Sequence, residues 1–349
     1  MKRARALPVV ALLLFAAVLS ACGSDTPTTT ASTANGPALP AAELALVAYS
    51  TPQAAYDQIT DAFAKTPQGR NITFTKSFGA SGEQSRAVDS GLAADYVAFS
   101  LEPDMTRLVK KDPPIVAADW NANQYKGNVT ESVVVLIVRK GNPKNIKTWE
   151  DLTKPGIEVV NPNPFTSGGA RWNVMAAYGQ AAKAGGGGAP GGNEAAGVDY
   201  LNRLYKNVVV QDDSARKSLQ TFTSGKGDVL LGYENEAIFA QQNNQPIDYV
   251  VPSATLLIEN PAAATATTKY PAQAKAFLDF VYTPAAQEIF AKNGYRPVVD
   301  GVKSPYELPT AGVFNITDFN GWTEVTKKFF DPKGSVMADV ERTIGVSVG

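Results

Sequence analysis

Short runs of aliphatic and β-branched residues alternate with amphipathic stretches along most of the chain, and this alternation limits its possible folds more than any other feature. "LALVAYS", "NITFTKSF", "ADYVAFS", "VVVLIVRKG", "IEVVNP", "NVVVQDD", "DVLLGYEN" and "IDYVVPS" read as strands, while "AAYDQITDAFAKT" and "GEQSRAVDSGLA" read as helices. Such a pattern predicts an α/β chain with a largely parallel sheet in each of two lobes, because some 300 residues exceed a usual single core. "WEDLTKPG" reads as a short helix stopped by proline, and "PAQAKAFLDFVYTPAAQEIFAKNG" as two helices broken around Thr283 and Pro284. The Gly-rich stretch 181–197 reads as a flexible surface insertion. It lacks the Gly-Lys-Ser/Thr ending that a phosphate loop needs.

One junction recurs at the strand ends. In "AYSTPQAAY", "FGASGEQSRAV", "NPFTSGGARWN", "VQDDSARKSLQ" and "GYENEAIFA" a strand gives way to a few polar or small residues and then to a helix start. Ser50, Ser81 with Gly82, Ser167 with Gly168 and Gly169, and Ser214 with Ala215 stand at such positions. Serine caps helices and glycine permits tight turns, so ordinary capping accounts for each junction taken singly. Several helix starts aimed at one cleft would instead form an anion site, since their unpaired N–H groups carry about half a positive charge per helix. Ligands of α/β sheets gather at these strand ends. Both readings stand on the residues alone.

Composition narrows the chemistry. The chain has no histidine, which removes the commonest general base and the commonest metal ligand together, so no metal or cofactor is expected. A near-neutral net charge of −1 gives no reason to expect nucleic acid as a partner. At the N-terminus Lys2, Arg3 and Arg5 precede an apolar run of about 16 residues, short of the roughly 20 that span a bilayer. Leu19, Ser20, Ala21 and Cys22 then form a lipobox around the single cysteine. The expectation is a lipoprotein signal peptide over 1–21, lipid on Cys22, and a Ser/Thr/Pro/Ala-rich tether over 22–41.

Two long stretches, "NPKNIKTWEDLTKPGIEVVNPNPFTSGGARWNVMAAYG" and "NPAAATATTKYPAQAKAFLDFVYTPAAQEIFAKNGYRPV", resemble the sulfate- and thiosulfate-binding proteins of ABC importers. "TSGGARWN" is specific to that family, and "GASGEQ" and "GYENEA" support the resemblance. It implies a two-lobed type II periplasmic-binding fold with a hinge and an interlobe cleft: a first lobe over 42–132, a second over 133–250, and a return to the first over 251–349 with the C-terminal helices. It also implies a dehydrated anion held by neutral donors. By motif, Ser81 would give an N–H, Ser167 its hydroxyl, Gly168 and Gly169 their N–H groups, and Ala215 another N–H. Gly82 and Arg216 would stand behind these contacts. Two positions depart from the family pattern. Tyr233 occupies the place of a tryptophan that donates its indole N–H, and Ser50 to Gln53 replace a segment with an Asp and an Arg, so that Ser50, Thr51 or Gln53 becomes a candidate contact to the ligand or to the opposite lobe.

The resemblance implies a non-enzymatic, monomeric binding protein held on the outer face of the cell membrane. It would deliver sulfate or thiosulfate to a permease driven by a cytoplasmic ATPase. Molybdate or phosphate is the alternative ligand within the class. A hydrolase using Ser167 or Ser81 is the remote alternative, since the chain offers no base, no Ser-x-x-Lys and no Gly-x-Ser-x-Gly. A ligand-sensing or adhesive surface protein is a third class, separated from the first by whether permease and ATPase genes lie beside its own.

Overall fold

In the first part of the chain the alternation becomes β1 (Ala42–Tyr49), α1 (Gln53–Phe63), β2 (Ile72–Gly79), α2 (Ser81–Asp89), β3 (Tyr96–Ala98) and α3 (Glu102–Val109). The computed structural model describes residues 36–184, 192–306, 308–309 and 312–346, which belong to one compact unit over 32–349. The signal-peptide segment, Cys22 and most of the expected tether lie outside the described residues. β1 pairs in parallel with β2 on one side and β3 on the other, and α1 covers the sheet through Tyr56, Ile59 and Phe63.

The Val-rich run "NVTESVVVLIVR" forms β4 (Asn128–Arg139), almost wholly buried, as expected of a strand covered on both faces. Beyond it come β5 (Val159–Val160), α4 (Gly168–Ala184), α5 (Glu194–Tyr205), β6 (Val208–Val210), α6 (Ala215–Thr223), β7 (Val229–Tyr233), α7 (Glu234–Gln242) and β8 (Ile247–Val250). "WEDLTKPG" forms the expected short helix, of the 3-10 type over Trp149–Thr153, opened by reciprocal bonds between Thr148 and Asp151. Of the Gly-rich stretch 181–197, residues 185–191 lie outside the described residues. Its two ends are helical, the last turn of α4 and the first turn of α5.

β9 (Thr255–Ala264) has no counterpart in the sequence reading. An internal Pro261 and a run of alanines hide it, because proline removes a ladder donor and alanine is a poor strand former. Its neighbours work around the proline: Pro261 still accepts from the Phe99 N–H, and Ala262 donates to Gly127. Then follow α8 (Pro271–Val281), α9 (Pro284–Lys292), β10 (Val313–Phe314), α10 (Gly321–Phe330) and α11 (Val336–Thr343). The break between α8 and α9 falls where expected: Thr283 caps α9 by accepting from Ala286 N–H, and Pro284 fills the first helical position.

Among the described residues the strands form one sheet in the order β2-β1-β3-β9-β4-β7-β5-β6, with β10 beside β9 and β8 beside β4. The expected largely parallel sheets are only half right. The flanks are parallel, but β9 and β4 run antiparallel to each other, β9 to β3, and β4 to β7 and β8. These two long strands pass from one lobe to the other. Asn128 to Val133 of β4 pair with β9, and Val134 to Val138 pair with β7. The end of β9 pairs with β3. α8 and α9 pack on α1 through Phe277, Phe280 and Phe290, whereas α10 and α11 pack on α4 and α5 through Trp322, Phe329 and Met337.

Candidate anion-binding cleft

The recurring junctions meet in space. Ser50, Ser81, Ser167, Gly168, Gly169, Ala215 and Tyr233 all line one small, nearly filled cavity of about 10 Å³ between the lobes. Thr51 and Ser214, which the sequence places at the first and fourth of these junctions, complete its wall together with Tyr49, Ala80 and Ser100, which it does not single out. Among the described residues no charged side chain lines it. Gly82 and Arg216 lie behind the wall. Cys22 is outside the described residues.

The cavity's electrostatics come from helix ends. α2 starts at Ala80 with no capping side chain. α4 has one cap, Ser167 Oγ accepting from Ala170 N–H at 3.3 Å, and α6 has one, Ser214 Oγ accepting from Lys217 N–H at 3.4 Å. Among the described residues, the N–H groups of Ser81, Gly82, Gly168, Gly169 and Ala215 find no acceptor. Buried unpaired donors are costly, so donors left open at three helix starts around one cavity amount to a site for an acceptor-rich guest.

Close approach explains the glycines. A Cβ on Gly168 would lie 2.6 Å from both Cβ and Oγ of Ser100 in the other lobe. A Cβ on Gly169 would meet Ala215 Cβ at 3.1 Å, and one on Gly82 would meet the Thr166 carbonyl at 3.0 Å. Backbone amides can reach the centre only where the side chain is absent.

Ser81 contributes backbone alone. Its hydroxyl donates to Asp104 at 2.6 Å and accepts from Ser100 N–H at 2.9 Å, while Arg107 holds the other oxygen of Asp104 at 3.1 Å. Ser100 is a nodal residue that the sequence reading missed. Its carbonyl accepts from Trp172 Nε1 at 2.8 Å and Asn260 Nδ2 at 3.0 Å, and its hydroxyl bonds Tyr233 Oη at 2.7 Å across the cleft. Two touching hydroxyls use one hydrogen between them, so the second O–H is left for a guest. Burial holds the Tyr233 phenol well above its ordinary pKa, and it stays a donor at neutral pH. Tyr49 Oη is buried beside Thr51 and Tyr295, which bond each other at 3.0 Å, and it makes no well-aligned hydrogen bond among the described residues. The only sequence signal for Ser100 or Tyr49 was a place at a strand's carboxyl end.

Arg216 carries its charge outside the wall. Its guanidinium grips Glu236 at 2.7 and 2.9 Å, lies 3.9 Å over the Phe239 ring, and donates to the Thr51 carbonyl of the first lobe at 2.8 Å. Burial lowers its pKa, but Glu236 more than reverses the effect, so the guanidinium keeps its charge. Glu234, the other acid of "GYENEA", is salt-bridged to Arg296 at 2.6 Å. Both carboxylates of that motif are therefore committed away from the cavity, which remains a neutral shell of donors.

The sequence profile described as bacterial extracellular solute-binding protein matches residues 44–296, from β1 through α9. The chain belongs to the bacterial extracellular solute-binding proteins. One relative of this solute-binding protein is a sulfate-binding protein of Synechococcus elongatus, 40% identical over 328 residues and 90% of each chain. Another is a thiosulfate-binding protein of Escherichia coli, 34% identical over 78% of this chain and 82% of that one. The solved structure of the sulfate-binding protein SubI from Mycobacterium tuberculosis is 41% identical, with a TM-score of 0.78 over 83% of this chain and 99% of that one. The family and its relatives bind solutes and are not enzymes. That sets aside the hydrolase reading, in keeping with Ser167 Oγ acting as a cap on its own helix.

Proposed function

We propose that this solute-binding protein captures sulfate, and thiosulfate as a second ligand, and delivers it to the permease of an ABC importer. The single observation that carries the reading is a cavity of neutral donors at converging helix starts, with every nearby carboxylate turned outward. Sulfate is a dianion throughout the neutral range and only accepts hydrogen bonds. Phosphate keeps a proton there and needs an acceptor, which a shell of N–H and O–H donors does not offer. Ser81, Gly168, Gly169 and Ala215 would give N–H groups, Ser167 and Tyr233 hydroxyls, and Ser50 an adjacent contact. Closure would bend β4 and β9 between lobes over 42–132 and 133–250; the chain after 251 returns to the first lobe only through β9, α8 and α9, while α10 and α11, expected there as well, lie against α4 and α5 of the second.

Calorimetric titration with sulfate, thiosulfate, molybdate and phosphate tests the reading. Sulfate should bind far more tightly than phosphate. Equal affinity for phosphate, or a preference for molybdate over both sulfur anions, overturns it. The protein would act as a monomer held outside the cytoplasm by lipid on Cys22. Cys22→Ala should release it or leave it unprocessed, and a mutant that still partitions into detergent as a mature lipoprotein rules this out.

A further inference from the structure

Next to the neutral cavity, a groove of about 540 Å³ runs along the seam between the lobes. Arg86, Arg107 and Lys110 reach it from α2 and α3 of the first lobe, and Arg171 and Lys327 from α4 and α10 on the second. Against these five cations stand Glu102 and Asp331 on the lining and Asp104 paired to Arg107, an excess of two positive charges in a chain whose net charge is −1. Most of the groove's cations lack counterions: among the described residues Arg86, Lys110, Arg171 and Lys327 form no ion pair, and Arg107 pairs with Asp104. Arg171 is held by neutral groups. Its Nε donates to the Pro164 carbonyl at 2.9 Å, and its guanidinium lies 5.0 Å from the Phe330 ring. Burial lowers its pKa, Asp104 opposes, and Arg107 and Arg86 lower it further.

The groove and the cavity share their helices. Ser81 starts α2 at the cavity, and Arg86 on the next turn folds back until Nη1 is 3.2 Å from where a Gly82 Cβ would stand. Side chains lean toward the N-terminus of a helix, so Arg86 is carried to the turn whose N–H groups face the cavity. Likewise Ser167 precedes α4 at the cavity, while Arg171 lies one turn inside the same helix. Arg86 and Arg171 thus stand about one turn behind the helix starts that face the cavity.

We propose that the groove is a capture site for the divalent oxyanion, attracting it to the seam before the lobes close, so that its cations set the association rate and the neutral cavity sets the dissociation rate. The proposal rests on the sulfate reading above. Fixed charge around a cleft raises association rates by roughly tenfold to a thousandfold and is screened by salt. Arg86, Lys110 and Lys327 are exposed, so Arg86→Gln/Lys110→Gln/Lys327→Gln removes three charges without opening the core.

Stopped-flow fluorescence with sulfate, on the full two-lobed protein, separates the two rate constants. In about 10 mM chloride salt the triple variant should associate about tenfold more slowly than the parent, and the gap should narrow at about 0.3 M as the Debye length shrinks. Dissociation should stay within about twofold. Equal association rates at low salt, or a change confined to dissociation, overturn the proposal, as does an unchanged rate accompanied by lost uptake through the permease. A parent that binds no sulfate at equilibrium sinks the functional reading and this inference together. A parent that binds sulfate while the variant matches its rate sinks the inference alone.

Discussion

Glu131 and Glu259 stand directly opposite each other where β4 and β9 run between the lobes. Like charges at such a pair repel, and here they are also partly removed from water. Burial, followed by the charge of Glu259, pushes the Glu131 carboxyl up from 4.5 to about 7, against the pull of Arg296, which is salt-bridged to Glu234. Glu259 is raised as well, by burial and Glu102, with Lys126 opposing. A raised acid keeps its proton longer in the folded state than in the unfolded one. Stability from this group is therefore greatest below about pH 4.5 and is lost as pH rises toward about 7. At about 1.36 kcal/mol per pH unit, that interval costs on the order of 3 kcal/mol. Glu131→Gln keeps the shape and deletes the charge. It should raise the unfolding free energy by roughly 2–3 kcal/mol at about pH 8 and by almost nothing at about pH 4. Urea unfolding of parent and variant at these pH values, followed by circular dichroism, measures both differences. A gain below about 0.5 kcal/mol at the higher pH, or the same gain at both, refutes a strained carboxylate at the hinge.

Gly168→Ala places a methyl where Ser100 already stands, at 2.6 Å. Overpacking of about 1–3 kcal/mol should weaken sulfate binding roughly fivefold to over a hundredfold in calorimetry, while Gly169→Ala, with its nearest atom at 3.1 Å, should do less. Tyr233→Phe should lower sulfate affinity about tenfold or more, as expected for loss of a donor to a dianion; an unchanged dissociation constant with lowered thermal stability would mean that Tyr233 only ties the lobes together. Sulfate affinity should vary less than about tenfold between about pH 5.5 and 8, because neither N–H nor buried O–H donors titrate there. A steeper dependence that survives Glu131→Gln would place a titrating group in the cavity.

The sequence by itself determined what local chemistry controls. Helix starts were legible at Ser81, Ser167 and Ser214 because small residues at a strand's end, before an amphipathic run, have few other uses. The break at Thr283 and Pro284 was legible because a cap and a first-turn proline act within four residues. Absence of histidine bounded the chemistry without any structure. Only the tertiary structure decided that these starts converge on one cavity, that Ser100 and Tyr49 share its wall, and that Ser81 offers its N–H while Asp104 takes its hydroxyl. It alone decided that β9 exists, since Pro261 and a run of alanines argue against a strand until β3 and β4 supply partners on either side. The Glu131–Glu259 pair and the reach of Arg216 to Thr51 have the same origin. Capping energy depends on residues three or four apart and can be read along the chain, whereas strand register and lobe contact join residues from about thirty to well over a hundred apart and take their energy from burial, which a linear sequence does not display.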